Sequence, residues 1–193
     1  MARTKEFDPD TALLAALEVF WERGFEATSM SDLVERLGVA RASIYATFGD
    51  KHELYLKALD RYGESIVPEL LGRLSQPGPA LPLVRAVIQD YVDQAADPTD
   101  CRGCFVVNTA VELAPHDPDA ARRVASSWTL LETALTSALL RAQAQGELGR
   151  ERDARGLARL ILVLIQGIQV MGKATDEPAR LRDAAAQALA LLD

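Results

Sequence analysis

The stretch "LGVARASIYATFGDK", Leu37 to Lys51, decides how the chain is read. It carries Arg41, Tyr45 and Lys51, and no Asp or Glu occurs from Arg36 through Gly49, although the formal net charge of the chain is -7. Gly38 ends one amphipathic segment, and Val39 follows it as a core candidate. Ile44 and Phe48 form an i, i+4 apolar pair, so one side of a short helix turns inward. Arg41, Ala42, Tyr45 and Ala46 fall on another side, where small side chains let the backbone approach a surface closely. Two short helices joined through a glycine turn have the proportions of a helix-turn-helix.

An acid-free face with one arginine suits the major groove of a double helix. A guanidinium can bond guanine O6 and N7, and alanine methyls can touch thymine methyls. Lys51, at the start of the next helix, would lie near phosphate, as would N–H groups at the helix start around Thr28 and Ser29. The wider charge argues the other way. Residues 1–60 hold seven Lys or Arg against eleven Asp or Glu, and an acidic surface repels nucleic acid at long range. Only the recognition face is locally basic.

Working outward, nearly every segment has helical spacing and none sustains a two-residue alternation, so the expected class is all-α. Leu13, Ala16, Leu17 and Phe20 define a first helix from about Asp8-Pro9 to Gly24. Met30, Leu33, Val34 and Leu37 define a second, with Thr28 or Ser29 as N-cap and Asp32 three residues after Ser29. Asp50 can cap a fourth helix, which Pro68 is expected to interrupt. After "SQPGPALP", five more helices are expected near 83–96, 104–113, 119–145, 154–171 and 178–192. The expected division is 1–50 for the helix-turn-helix unit and 51–193 for the remainder. At 193 residues the chain can bury a sizeable core. Its N-terminus has no signal-peptide apolar core, which makes the cytoplasm the expected compartment. For the run from Leu157 to Gly172 a membrane span is disfavoured, because it is shorter than about twenty residues and contains Arg159, Gln166 and Gln169.

The run "FWERGFEATSMSDLVERLGVARASIYATFGDKHELY", Phe20 to Tyr55, resembles the N-terminal domain of the TetR family of transcriptional regulators, with its "LGV" turn, "IYATF" and "DKHELY". The resemblance implies a homodimer, a three-helix DNA-binding domain and a divergent helical domain that binds a small effector and releases DNA. It puts Arg41, Ala42, Ser43 and Ala46 where the family contacts bases, and Ser29, Tyr45, Thr47 and Lys51 where it contacts phosphates. Thr47 replaces the family's usual His or Tyr, and Val34 its usual Ala, which implies a weaker backbone clamp and wider helix packing. The implied regulator is more often a repressor than an activator. A two-fold dimer predicts a near-palindromic operator.

For the dimer surface the last two helices are chosen, through Leu157, Leu160, Ile161, Leu164, Ile168, Leu181, Ala185 and Leu189, as a four-helix bundle. In "CRGCFVVNTAVE", Cys104, Asn108 and Glu112 recur at i, i+4, i+8, a polar stripe that can line an effector cavity. The "GC" followed by apolar residues resembles the branch of the family that senses electrophiles and oxidants through cysteine, with Lys173 able to approach Cys104. Ordinary burial of Cys104 is the competing reading. Trp128 is a candidate for an organic ligand. Cys101 and Cys104 with His52 and His116 do not make a metal set, so neither metal nor other cofactor is expected. Two other readings compete with the regulator: a helical protein-interaction module, and a dithiol redox protein using Cys101 and Cys104. The second lacks the βαβ context that such a motif needs.

Overall fold

The computed structural model describes residues 7–97, 102–174 and 177–193. Among these, nine helices follow one another: α1 (Pro9–Arg23), α2 (Met30–Leu37), α3 (Arg41–Phe48), α4 (Lys51–Leu74), α5 (Ala80–Ala95), α6 (Phe105–Glu112), α7 (Pro118–Gln145), α8 (Ala154–Gly172) and α9 (Pro178–Ala190). The all-α expectation holds. Most bounds shift by one to three residues, and one expected break is absent. α5 begins at Ala80 and α6 at Phe105, and α4 runs unbroken through Pro68. The proline removes only one backbone donor from a 24-residue helix, a loss that flanking turns can carry.

Contacts divide the chain into two compact units: residues 1–65 with 108–124, and residues 66–107 with 125–193. In the first, α1 packs on α2 and α2 on α3. Phe20, Leu33, Ile44, Phe48, Leu54 and Tyr55 are buried at its centre, and each large apolar side chain so buried contributes about 1.5–3 kcal/mol. Tyr55 meets Phe20 edge-on at 5.0 Å and Phe25 at 5.2 Å between ring centroids. Its hydroxyl shares a 2.9 Å hydrogen bond with Thr109, so the one polar atom of this aromatic cluster is satisfied. Burial pushes the Tyr55 phenol well above its ordinary pKa.

In the second unit α8 packs on α5 and α9. Val84, Ile88, Val92, Leu135, Leu139, Ile161, Ile165 and Leu181 form a continuous core. At 19 residues and a mean hydropathy of 1.4, α8 is long and apolar enough to cross a membrane by length and composition. The helix begins three residues before the Leu157–Gly172 run, and its length falls within the range of about 17–25 residues that can span. It is instead a core helix by its packing, with Ala158, Ile161, Ile165 and Ile168 all buried in this unit's core.

Candidate nucleic-acid interface

The α1–α2 connection is built from a glycine and a capping box. Gly24 adopts φ +83° and its N–H closes α1 on the Phe20 carbonyl. Ser29 then caps α2: its hydroxyl oxygen accepts from the Asp32 N–H at 3.1 Å, and the Asp32 carboxylate accepts from the Ser29 N–H at 2.8 Å. The Ser29 hydroxyl beside Asp32, reinforced by the Ser29 amide and by Arg23, holds the Asp32 carboxyl below its ordinary range. α2 stops at Gly38 in the left-handed region, φ +64°, which favours glycine. Val39 is buried in the turn.

α3 divides by face as its spacing predicts. Ile44 and Phe48 are buried, whereas Arg41, Ala42, Tyr45, Ala46 and Thr47 are exposed and Ser43 is half-buried. The Arg41 guanidinium lies 5.6 Å from the centre of the Tyr45 ring and donates to its hydroxyl at 3.3 Å. That contact extends the arginine along the exposed face and limits its rotamers. Flat guanidinium, phenol and two methyls are the groups a major groove can read.

The flanking positions are more committed than the sequence suggested. Thr28 is buried, and its hydroxyl donates to the Gly24 carbonyl at 2.6 Å. The Lys51 ammonium donates to the Phe25 and Thr28 carbonyls at 2.9 and 3.0 Å and sits 4.1 Å above the Phe25 ring. Two of its three N–H groups are thus spent on fastening α4 to the α1–α2 turn. Lys57 donates to the Phe48 carbonyl at 2.7 Å, closing the C-terminus of α3.

One residue escaped the sequence reading of this unit. Glu112, expected in a polar cavity stripe, accepts from the N–H groups of Phe25 and Glu26 at 3.0 and 2.9 Å. A Cβ on Gly24 would lie 2.8 Å from a Glu112 carboxylate oxygen, so the glycine makes room for this clamp. Its i, i+4, i+8 spacing identified the face but not the partner.

The remaining candidates lie in several places. Cys101 falls outside the described residues. Cys104 and Asn108 are half-buried. Burial, with Cys104 next in effect, pushes the Tyr91 phenol up to about 12. Gly103, at φ +65°, receives the aliphatic stem of Lys173: a Cβ there would meet Lys173 Cδ at 2.9 Å. The "GC" pair therefore brings the Lys173 chain against the residue next to Cys104. Trp128 is half-buried and its indole N–H has no acceptor among the described residues.

Of the eight residues chosen for a dimer surface, Ile161, Ile168, Leu181 and Ala185 are buried in the core of their own unit. The apolar excess read from α8 is consumed on that side by α5 and α9. Leu157, Leu164 and Leu189 are partly buried against the same core. Leu160 is exposed at 42%, and with it Val163 at 68%, Val170 at 48% and Met171 at 46%. These positions repeat with helical spacing and form one uncovered apolar face.

A family model described as "Bacterial regulatory proteins, tetR family" matches residues 12–58, and one described as "Tetracyclin repressor-like, C-terminal domain" matches residues 80–188. The chain is 39% identical to the HTH-type transcriptional regulator YezE of Bacillus subtilis over 100% of both chains. It is 32% identical to the HTH-type transcriptional repressor ComR of Escherichia coli, over 89% of this chain and 82% of that one. Among solved structures, a cysteine mutant of the TetR family transcriptional regulator CifR, complexed with 26-base-pair operator DNA, is similar with a TM-score of 0.86, 26% identity and 100% coverage of both chains.

Proposed function

The chain belongs to the TetR family and is a helix-turn-helix DNA-binding transcriptional regulator, and from that premise we propose that it is a homodimeric repressor that leaves a near-palindromic operator when a signal reaches its C-terminal helices. Residues 1–50, with Lys51 at the start of α4, carry the DNA contacts, and the rest of 51–193 carries the effector and dimer surfaces. The observation that carries this reading is the exposed, acid-free side of α3. Arg41 reads base edges, Ala42, Ser43 and Ala46 pack against them, and Ser29, Tyr45, Thr47 and Lys51 address phosphates, Thr28 supporting them from within. The repressor sense rests on likeness to ComR, a repressor by name. The cytoplasm, where DNA is accessible, is the compartment such a regulator requires.

The dimer forms through the uncovered α8 face around Leu160 and Val163, with α9 beside it. The signal is a small molecule or a thiol-directed oxidant or electrophile. Support for the second comes from the Lys173 stem packed at Gly103, which brings a cation's chain to the residue adjoining Cys104. An organic inducer would find an unmatched donor in the Trp128 indole. Family members of this kind are regulators rather than enzymes.

Selection of bound fragments from sheared genomic DNA, with the wild type and Arg41→Ala in parallel, tests the reading. Enrichment of a palindrome by the wild type alone supports it. Equal enrichment by both proteins, or none by either, overturns the role given to α3. Repeating the selection with oxidised wild type and Cys104→Ser assigns the signal: a response unchanged in Cys104→Ser removes the thiol from it.

A further inference from the structure

The second unit carries a groove that none of the assignments above uses. It has a volume of about 220 Å³ and is lined by Leu71 and Leu74 of α4, by Ser75 just beyond it, and by α7 through Leu130, Thr133, Ala134, Ser137, Ala138 and Arg141. Leu71 and Leu130 are 38% and 47% exposed, so its apolar walls are open to solvent. Arg141 is the only charged residue in the lining, and no carboxylate accompanies it. Within this lining the groove offers an entering ligand one positive charge and no competing carboxylate.

The guanidinium itself is under-satisfied. It donates from Nη2 to the Leu74 carbonyl at 2.9 Å, one of the carbonyls that the end of α4 leaves without a helical partner. Its Nε–H is buried and has no acceptor among the described residues. A guanidinium has five N–H donors in a planar fork matched to a carboxylate. Leaving even one of them, the Nε–H, buried without an acceptor is costly.

We propose that this groove binds a small amphipathic monocarboxylate, its carboxylate on Arg141 and its apolar chain along Leu71, Leu130 and Ala134. Size restricts the occupant. A groove of about 220 Å³ has room for several water-sized groups, enough for a short-chain carboxylate such as hexanoate. The binding stands on this groove alone. Its regulatory consequence rests on the proposed role of residues 51–193 in effector binding.

The test is calorimetric titration of the full-length protein with hexanoate and with 1-hexanol, in the absence of DNA. Hexanoate is expected to bind at least about tenfold more tightly than hexanol, the discrimination that a charge-assisted bond supplies. Arg141→Gln should abolish that preference, and Arg141→Lys should retain part of it. Ser137→Trp, a substitution at an exposed position that fills the groove, should block both probes while leaving the melting temperature unchanged. Equal affinity for the two probes, an unchanged preference in Arg141→Gln, unimpaired binding by Ser137→Trp, or no binding of hexanoate at millimolar concentration would each overturn the proposal. Operator affinity is read separately without hexanoate. Its absence would count against the role given to α3 and leave the carboxylate result standing.

Discussion

Glu112 holds the backbone of Phe25: its carboxylate accepts the Phe25 N–H at 3.0 Å across 87 positions of sequence. A second bond, from the Glu26 N–H at 2.9 Å, makes the grip bidentate. These amides precede α2, so the carboxylate fixes the path by which the chain enters the helix-turn-helix.

Glu112→Ala should therefore lower stability by about 1.5–3 kcal/mol, the range for hydrogen bonds to a charged group, at the lower end because the site is half-buried. Gly24→Ala should also destabilise, through its positive φ and through collision with the same carboxylate. The two losses are not additive. In urea unfolding, Gly24→Ala should cost less in the Glu112→Ala background than in the wild type, because the collision partner is gone.

Arg41→Ala should weaken operator binding by about 1–3 kcal/mol without changing thermal stability, since the side chain is exposed and its polar partner among the described residues is Tyr45, itself exposed. Fluorescence anisotropy with the selected operator measures the first and differential scanning fluorimetry the second. A Tm shift comparable to that of Glu112→Ala would mark Arg41 as structural instead.

Lys51 serves the fold first. Lys51→Met should cost about 1–2 kcal/mol from the loss of two carbonyl bonds and the Phe25 contact. Its third N–H remains available for phosphate, so the salt dependence of operator binding should lose about 0.9 from its logarithmic slope. An unchanged slope would confine Lys51 to fastening α4.

Acid should act through the α2 cap. Because the folded Asp32 carboxyl lies below its ordinary range, its contribution is present above the pKa of the unfolded chain and is lost as pH falls through the folded pKa. Asp32→Asn should therefore show a smaller drop in Tm than the wild type between about pH 6 and about pH 3. Parallel curves for the two proteins would show that the cap is not titrating.

Neighbouring positions on α8 should behave oppositely. Ile161→Ala, in the core, should cost about 2–5 kcal/mol of stability. Val163→Asp, on the uncovered face, should leave the helical content intact and turn a dimer into monomers in sedimentation velocity. A dimer that persists in Val163→Asp would move the interface elsewhere.

The contrast between these two residues shows what was legible in advance. α1 could be read closely from Leu13, Ala16, Leu17 and Phe20, because a helix packed on one side writes that side into its spacing. The same logic separated Ile44 and Phe48 from Arg41 and Tyr45 on α3. α8 is apolar nearly all round, so its pattern could not distinguish Ile161, turned to α5 and α9, from Leu160, turned outward. Pro68 is a local breaker that a long helix overrode. The Glu112 clamp had no local signal at all, since its partners lie on the far side of four intervening helices in the chain. The groove at Arg141 was hidden for the same reason: it takes two helices to make it.

The single exposed arginine of α3, set in an acidic chain, also determines how the regulator finds its site. A protein whose bulk charge is -7 gains little from the phosphates of arbitrary DNA, since sequence-independent affinity comes from cations that displace counterions. Few copies are then held on the roughly 10⁶–10⁹ competing positions of a genome. Three-dimensional encounter rather than sliding is the expected route to the operator, and a weak salt dependence of binding to arbitrary DNA would show it.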